Sequence, residues 1–308
     1  MTRSYVSRWR GYFTALLLCA ALVPDARAAV PDPAYDAFQL GNYVIARKEA
    51  EKAAATGDPA AHTLIGELYS RGLGVPKDLQ KAAQWYEKGA SLGDANAQLA
   101  YGLMLAKGAG VKRDRKRAGY LFEQAAKAGL PSAQYNLALL YVEGRVRKLD
   151  EAKAVEWLQK AAEQDHAQAQ YDLAAMYAEG AGIAKNPIKA VEWTGRAAEL
   201  GHATAQLEYA IMKFNGRGIE RDEAGAIALL KSSSAKGNPV AQNRLARIYA
   251  NGMGVKKDPL RAAKWHLIAR DAGVSDFKLD LYLAKMSEPD RAKAKADAQA
   301  WMKKQSER

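Results

Sequence analysis

Few side chains of this sequence could perform catalysis or hold a metal ion, and their spacing suits neither task. The four histidines are His62, His166, His202 and His266. His166 and His202 lie 36 residues apart, at matching places in a repeated pattern. Packed helices lie about 10 Å apart, whereas each ligand of a zinc ion sits about 2 Å from the metal. We therefore expect these histidines to cap helices or to face solvent.

The sequence also lacks a nucleophile motif and a cofactor motif. Cys19 is the only cysteine, and it lies in an N-terminal segment that we expect to be removed. No HExxH or GxSxG motif occurs. The Gly-x-Gly-Val segments lack the Lys-Ser/Thr pair of a phosphate-binding loop. The sequence therefore predicts a protein without enzymatic activity, with no catalytic residue, no cofactor and no metal site.

One row of polar side chains does recur at a fixed spacing. Glutamines stand 36 residues apart at Gln98, Gln134, Gln170, Gln206 and Gln242. Two interpretations remain open. These glutamines either hydrogen-bond one repeat to the next, or they form a polar rail for a bound peptide.

The glutamines belong to a repeat that covers most of the chain. The segment AQYNLALLYVEG at 133–144 returns as AQYDLAAMYAEG at 169–180. A fixed period of this length, kept without insertions, is typical of a stacked solenoid. One helical hairpin cannot bury its own apolar face, so each copy requires a neighbour. The period of 36 residues is marked by six alanines: Ala61, Ala97, Ala133, Ala169, Ala205 and Ala241.

Each period predicts two helices separated by a turn. In the third copy Ala133, Leu137 and Tyr141 fall on one helical face. A glycine such as Gly144 ends this first helix, because glycine tolerates the left-handed conformation found there. A residue of the type that caps helix N-termini then opens the second helix in every copy: Asp78, Asp114, Asp150, Asn186, Asp222 and Asp258.

The second helix carries a large apolar residue at one matched position in all six copies. We expect this residue to fill the space between neighbouring hairpins. If Trp157 is buried in this way, Trp157→Ala should cost about 3–5 kcal/mol of stability. The six residues are Trp85, Leu121, Trp157, Trp193, Leu229 and Trp265.

These motifs together resemble the Sel-one-like repeat (SLR) family. The resemblance rests on four motifs that follow one another in each repeat: Ala-x-x-x-Leu-(Gly/Ala)-x-x-Tyr, Gly-x-Gly-Val, Asp-x-x-x-Ala-x-x-Trp and Ala-Ala-x-x-Gly. The family is related to the tetratricopeptide repeats and has a longer turn inside each hairpin. The resemblance implies an all-α fold, a right-handed α-solenoid of stacked helical hairpins with capping helices at both ends. Two copies depart from the pattern: the third reads GRVRKLD at 144–150, and the fifth has Lys213 in place of Tyr.

The resemblance covers residues 58–273 and sets the expected domain boundaries. Residues 1–28 are expected to be a signal peptide, 29–57 an N-terminal capping hairpin similar to a tetratricopeptide repeat, and 274–308 the C-terminal capping helices. The six repeats are expected at 58–93, 94–129, 130–165, 166–201, 202–237 and 238–273.

The N-terminal segment has the pattern of a secretory signal. Three arginines precede the apolar segment YFTALLLCAALV, and Ala26-Arg27-Ala28 forms a cleavage signal. We expect cleavage after Ala28 and a periplasmic or secreted product. An uncleaved membrane anchor and a lipid-modified Cys19 are the alternatives. No later apolar stretch is long enough to span a bilayer.

The formal net charge of +12 raises the question of an anionic partner. Lys and Arg are scattered over every repeat and do not gather into one stripe, and no nucleic-acid-binding motif lies among them. We expect a solvated basic surface and no nucleic-acid partner. A binder of polyanions or membrane surfaces is the alternative, and its affinity would fall steeply with salt.

The resemblance implies a concave face lined by the first helices of the hairpins. Such a face suits a partner protein or peptide, with apolar side chains giving affinity and charges giving register. The expected partner-binding residues are Leu99, Leu103, Lys107, Tyr135, Leu139, Glu143, Tyr171, Glu179, Leu207, Ile211 and Phe214.

The function implied by the resemblance is that of a non-enzymatic scaffold or adaptor for protein–protein interaction in the periplasm. Members of the family act in protein complexes and, in bacteria, in envelope signalling, so one version of this hypothesis is a regulator of a sensor kinase. The alternative is an enzyme of the cell wall or a peptidoglycan binder. The missing nucleophile cluster argues against that alternative.

Overall fold

The computed structural model describes residues 32–144 and 146–307. The expected signal peptide and Cys19 lie outside these residues. The described chain forms sixteen helices and no strand, as the repeat pattern predicts. The helices are α1 (Pro33–Gln39), α2 (Tyr43–Ala55), α3 (Pro59–Arg71), α4 (Leu79–Ser91), α5 (Ala95–Lys107), α6 (Arg115–Lys127), α7 (Pro131–Glu143), α8 (Glu151–Ala162), α9 (Ala167–Glu179), α10 (Pro187–Glu199), α11 (Ala203–Asn215), α12 (Glu223–Ala235), α13 (Pro239–Asn251), α14 (Pro259–Asp271), α15 (Phe277–Ala284) and α16 (Glu288–Ser306).

The six second helices begin where the sequence predicts. At each start, the side chain of the expected Asp or Asn accepts a hydrogen bond from a backbone N–H group of the first turn. This bond satisfies a donor that has no partner inside the helix. Pro187 and Pro259 occupy the first helical position, where proline costs no hydrogen bond. The prediction of six capped second helices is confirmed.

The turn inside each hairpin depends on close backbone contact. After α5, Gly108 ends the helix in the left-handed conformation, and Gly110 follows with φ of +69°. A Cβ at Gly110 would collide with the backbone carbonyl of Leu79, the first residue of α4. The turn therefore packs directly on the start of the preceding second helix, and this contact requires glycine. In the third copy the equivalent position is Val146.

The chain divides between Ala133 and Gln134 into two compact units. In the first unit, consecutive helices from α1 to α6 pack in sequence order. In the second, the helices from α8 to α14 do the same, and α16 packs on α14. Small residues allow the helices to approach closely, since the alanines at the matched positions of the repeat are buried. This is an all-α repeat solenoid.

The matched apolar residues of the second helices are less buried than the sequence predicts. Trp193 is 8% exposed, whereas Trp85, Trp157 and Trp265 are only partly buried. A basic side chain lies over each partly exposed ring, as when Lys160 Nζ lies 4.2 Å from the centroid of Trp157. The interface therefore covers one part of the ring while a cation shields another, a favourable arrangement. The cost of Trp157→Ala should accordingly fall below the fully buried range.

Helices α15 and α16 follow the last repeat. His266 of α14 is buried, and its Nε2 lies 2.8 Å from Oδ1 of Asp280 on α15. Trp301 of α16 meets Trp265 of α14 edge-on, with ring centroids 5.6 Å apart. Within residues 32–144 and 146–307, no helix combines the length and the apolar character needed to cross a bilayer.

Candidate partner-binding face

The expected face of the first unit is mostly closed. Leu99 and Leu103 of α5 are 4% and 8% exposed, so they pack inside the unit. Lys107, at the end of the same helix, is exposed. Only the lysine is therefore open to a partner in the free chain. The helical spacing placed all three residues on one side of α5, but it did not show how deeply the neighbouring helices cover that side.

The expected face of the second unit is more open. Leu207 is 7% exposed and belongs to the core. The others retain access to solvent, and Glu179 is exposed. We call the accessible set, together with two charged residues that the sequence analysis missed, the first-helix face: Tyr135, Leu139, Glu143, Tyr171, Glu179, Glu208, Ile211, Phe214 and Arg244.

Two tyrosines hold carboxylates on this face. Tyr171 of α9 donates from its hydroxyl to Oε1 of Glu208 on α11, at 2.9 Å. In the same way, Tyr135 of α7 bonds to Asp172 of α9. Each tyrosine thus reaches an acid 37 residues later, on the first helix of the next hairpin. Sequence reasoning missed this pairing, although a Tyr followed by an acid one repeat and one residue later was a usable signal.

A histidine caps the first helix of the hairpin after each tyrosine: His166 caps α9 and His202 caps α11. Nδ1 of His166 accepts a hydrogen bond from the Ala169 N–H at 3.2 Å, and Nδ1 of His202 accepts one from the Ala205 N–H at 3.1 Å. Their rings also stack on tyrosines, His166 on Tyr135 and His202 on Tyr171, with centroids 4.9 and 4.7 Å apart. The prediction of a capping role is confirmed for both histidines.

A partly buried chain of hydrogen bonds connects these groups. Gln168 donates from Nε2 to Oδ1 of Asp172 at 3.1 Å, and its Oε1 lies 2.8 Å from Nε2 of His202. Because Nδ1 of His202 accepts, Nε2 is the donor in this bond. The chain runs from Tyr135 through Asp172 and Gln168 to His202, so it crosses three consecutive hairpins.

Burial shifts the titration of this chain. Desolvation raises the pKa of Asp172 to about 7, opposed by its bonds to Gln168 and Tyr135. Desolvation, together with the nearby charge of Lys236, lowers the pKa of His202 to about 4. Burial likewise lowers the pKa of His166. Both histidines are therefore neutral at physiological pH, as capping requires, since a protonated imidazole cannot accept a hydrogen bond.

The glutamine row joins helices. Nε2 of Gln170 donates to the Ala162 carbonyl at 2.9 Å, and Nε2 of Gln206 donates to the Ala198 carbonyl at 3.1 Å. Gln98 and Gln242 make the same bond eight residues back. Each acceptor is one of the last carbonyls of a second helix, which lack partners inside that helix. Of the two interpretations, hydrogen bonding between repeats is confirmed, and these buried amides do not line an open rail.

The charge on the first-helix face changes sign along the second unit. Glu208 of α11 is followed one repeat later by Arg244 of α13, which is exposed. Arg247, one turn further along α13, bonds through Nε to Oδ2 of Asp276 at 2.6 Å. Among the described residues, no group of three or more His, Cys, Asp and Glu side chains is placed to hold a metal ion. The arrangement presents partly exposed apolar side chains and charges of both signs.

Comparison with known protein families and solved structures identifies the repeat. The Sel1 repeat model matches six consecutive segments: 59–94, 95–130, 131–166, 167–202, 203–238 and 239–274. A solved structure of a Sel1 repeat protein from Oxalobacter formigenes is similar to this chain, with 33% identity and a TM-score of 0.72. The match covers 78% of this chain and 98% of that one.

A second solved structure is a protective antigen present in uropathogenic Escherichia coli strains, which displays an SLR fold. It is 29% identical, with a TM-score of 0.56, and the match covers 88% of this chain and 68% of the antigen. No curated protein matches the chain in sequence.

Proposed function

The chain belongs to the Sel1 repeat family, and from this premise we propose that it is a non-enzymatic scaffold of the periplasm that binds a partner protein or peptide on its first-helix face. Proteins with these repeats typically serve as scaffolds for protein–protein interaction. We further propose that it has a regulatory role in the cell envelope.

One observation supports the choice of face. The first-helix face presents Leu139, Ile211 and Phe214 as partly exposed apolar side chains, and on α11 it adds the carboxylate of Glu208, which the Tyr171 hydroxyl fixes. Apolar anchors surrounded by oriented polar groups are the usual composition of a peptide-binding surface. Because the supporting side chains are already bonded to each other, little conformational entropy is lost on binding.

Site-specific photocrosslinking in cells tests this face. A photoreactive residue at Leu139 should give a defined adduct with one partner protein, which mass spectrometry would identify. The matched control is the same residue at Glu156, an exposed position on second helix α8. Adducts at Glu156 but none at Leu139 would contradict the assignment of the face.

The periplasmic location depends on the segment 1–28, whose sequence has the signal pattern. Fractionation of the native protein followed by intact-mass measurement tests it. A periplasmic product that begins at Ala29 is expected. A product that retains residues 1–28 in the cytoplasm would refute the proposed location and leave the binding face to be judged by the crosslinking experiment.

A further inference from the structure

The first-helix face carries a charge reversal at one repeated position. Residues 136, 172, 208 and 244 stand 36 apart and occupy the same place on α7, α9, α11 and α13. They are Asn136, Asp172, Glu208 and Arg244. Asp172 is buried, whereas Glu208 is partly exposed and Arg244 is exposed. A bound segment that crosses α11 and α13 therefore meets a carboxylate first and a guanidinium next.

Glu208 is held in place with its charge uncompensated. Oε1 accepts the hydroxyl proton of Tyr171, which fixes the side chain. Tyr171 is itself stacked on the ring of His202, so the donor cannot swing away freely. No Lys, Arg or His within residues 32–144 and 146–307 forms an ion pair with Glu208. An oriented carboxylate of this kind gains strongly from a cationic side chain of a partner.

Arg244 is the opposite case. It has no ion-pair or hydrogen-bond partner among the described residues, unlike Arg247, which is engaged by Asp276. Partial desolvation and the charge of Arg247 lower the pKa of Arg244. The negative charge of a carboxylate would offset both effects on the pKa, and a guanidinium can bind it through two parallel hydrogen bonds.

We infer that the partner segment carries a basic side chain that pairs with Glu208 and an acidic side chain that pairs with Arg244. This inference rests on the proposed function and specifies the chemistry of the partner. First helices of neighbouring hairpins are joined by side chains, as Tyr171 is to Glu208, and their spacing is about one helix diameter, roughly 10 Å. A polyproline II segment rises about 3.1 Å per residue with three residues per turn, so its residues i and i+3 share one side at about 9 Å. The expected pattern is therefore a basic and an acidic residue separated by two others.

Ile211 adds an apolar contact to this pattern. It lies three residues after Glu208 and so faces the same side of α11, and it is partly exposed. One of the two residues between the charges should accordingly be apolar. A uniformly anionic ligand would be repelled by Glu208, and a uniformly basic one by Arg244.

Selection of peptides from a random displayed library tests the inference. The bait is the whole chain without residues 1–28, and the selected consensus should contain a basic and an acidic residue at i and i+3. Glu208→Gln keeps an acceptor for Tyr171 while removing the charge, and Arg244→Gln removes the guanidinium. Each variant should weaken binding of a selected peptide about tenfold, which is about 1.4 kcal/mol, since a close charge pair contributes at least about that much.

The control variants are Glu156→Gln and Lys231→Gln, exposed positions on second helices α8 and α12. They remove the same charges elsewhere and should leave affinity unchanged. Peptides that bind through Leu139 or Ile211 but are indifferent to both charge variants would overturn the inference and leave the proposed function standing. Failure to select any peptide whose binding depends on the first-helix face would refute both.

Discussion

At the scale of single residues, Asp172 shows how burial makes one side chain sensitive to pH. Its pKa is about 7 in the folded chain against 3.8 for the ordinary group. Between these values the folded protein holds a proton that the unfolded chain has released. The contribution of Asp172 to stability is therefore complete below about pH 4, and it is lost as the pH rises through about 7.

Asp172→Asn should remove this dependence. Relative to the variant, the wild type should lose at most about 1.4 kcal/mol per pH unit between pH 4 and pH 7. Urea unfolding across this range measures the difference. His202 acts in the opposite direction, because its pKa is lowered to about 4 and its contribution grows as the pH rises from there towards 6.5. The histidine is present in both proteins, so it cancels in the difference. Parallel pH profiles would show that Asp172 is not protonated in the folded state.

The glutamine row makes a second prediction at this scale. Gln170→Met keeps the length of the side chain but removes the Nε2 donor, so the Ala162 carbonyl retains only the bond from the Asp165 N–H. Because a typical intramolecular hydrogen bond contributes about 0.5–1.5 kcal/mol, the variant should be destabilised by that amount in urea unfolding. Gln159→Met, which loses only an exposed bond to Glu163, serves as the control and should change little. Equal stability of the two variants would mean that the buried bond contributes nothing.

Individual side chains were predicted unevenly from the sequence. The caps at His166 and His202 followed from local spacing, because a cap bonds to its own helix. The burial of Leu99 and the partial exposure of Trp157 did not, because both depend on how far a neighbouring helix extends over the side chain. Asp172 was missed for the same reason, since its partners come from two different helices.

At the scale of helices and turns, Gly110 is the point where two hairpins meet most closely. Gly110→Ala would force a Cβ against the Leu79 carbonyl, and φ of +69° adds strain for any L-residue. Gly129 shares a positive φ of +96° but has no atom within 4 Å of an added Cβ. Gly129→Ala is thus a matched control that isolates the contact from the backbone strain.

We expect Gly129→Ala to cost about 1 kcal/mol, the usual penalty for an alanine at positive φ. Gly110→Ala should cost at least about 2 kcal/mol more, because the turn must move away from α4. Thermal or urea unfolding of the two variants gives the comparison. Equal costs would show that the turn relaxes without loss.

At the scale of the whole chain, the stability of each hairpin depends on its contacts with the neighbouring hairpins. Leu245 of α13 is fully buried, and α13 packs on α12, α14 and α15. Leu245→Ala should cost about 2–5 kcal/mol. In a stack of hairpins, the loss of stability should extend only to the hairpins next to the substituted one.

Hydrogen exchange read by mass spectrometry should locate that loss. Exchange should accelerate in α12, α13 and α14 and change little in α9. Leu200→Ala, at a half-exposed position after α10, is the control and should leave the pattern unchanged. Uniform acceleration throughout residues 134–307 would instead show that the unit opens as one body.

The architecture was more predictable than the binding face. Helix starts, turns and stacking all follow from a period that the sequence repeats six times. A feature that is unclear in one copy can be recognised at the matched position of another. The face depends on what differs between copies, such as Glu208 in one and Arg244 in the next. A residue that occurs in only one copy has no counterpart at the matched positions. The side chains that it contacts are therefore known only from the three-dimensional structure.

The bond from each glutamine to the helix end eight residues earlier has a consequence for how such a chain can lengthen. Donor and acceptor stand eight residues apart, one on each side of a repeat boundary. A tandem duplication of one period therefore adds a new hairpin together with a complete glutamine–carbonyl hydrogen bond. No compensating substitution is required elsewhere. The gain or loss of whole repeats is then a small mutational step. An insertion between the carbonyl and the glutamine would instead break the hydrogen bond between two repeats.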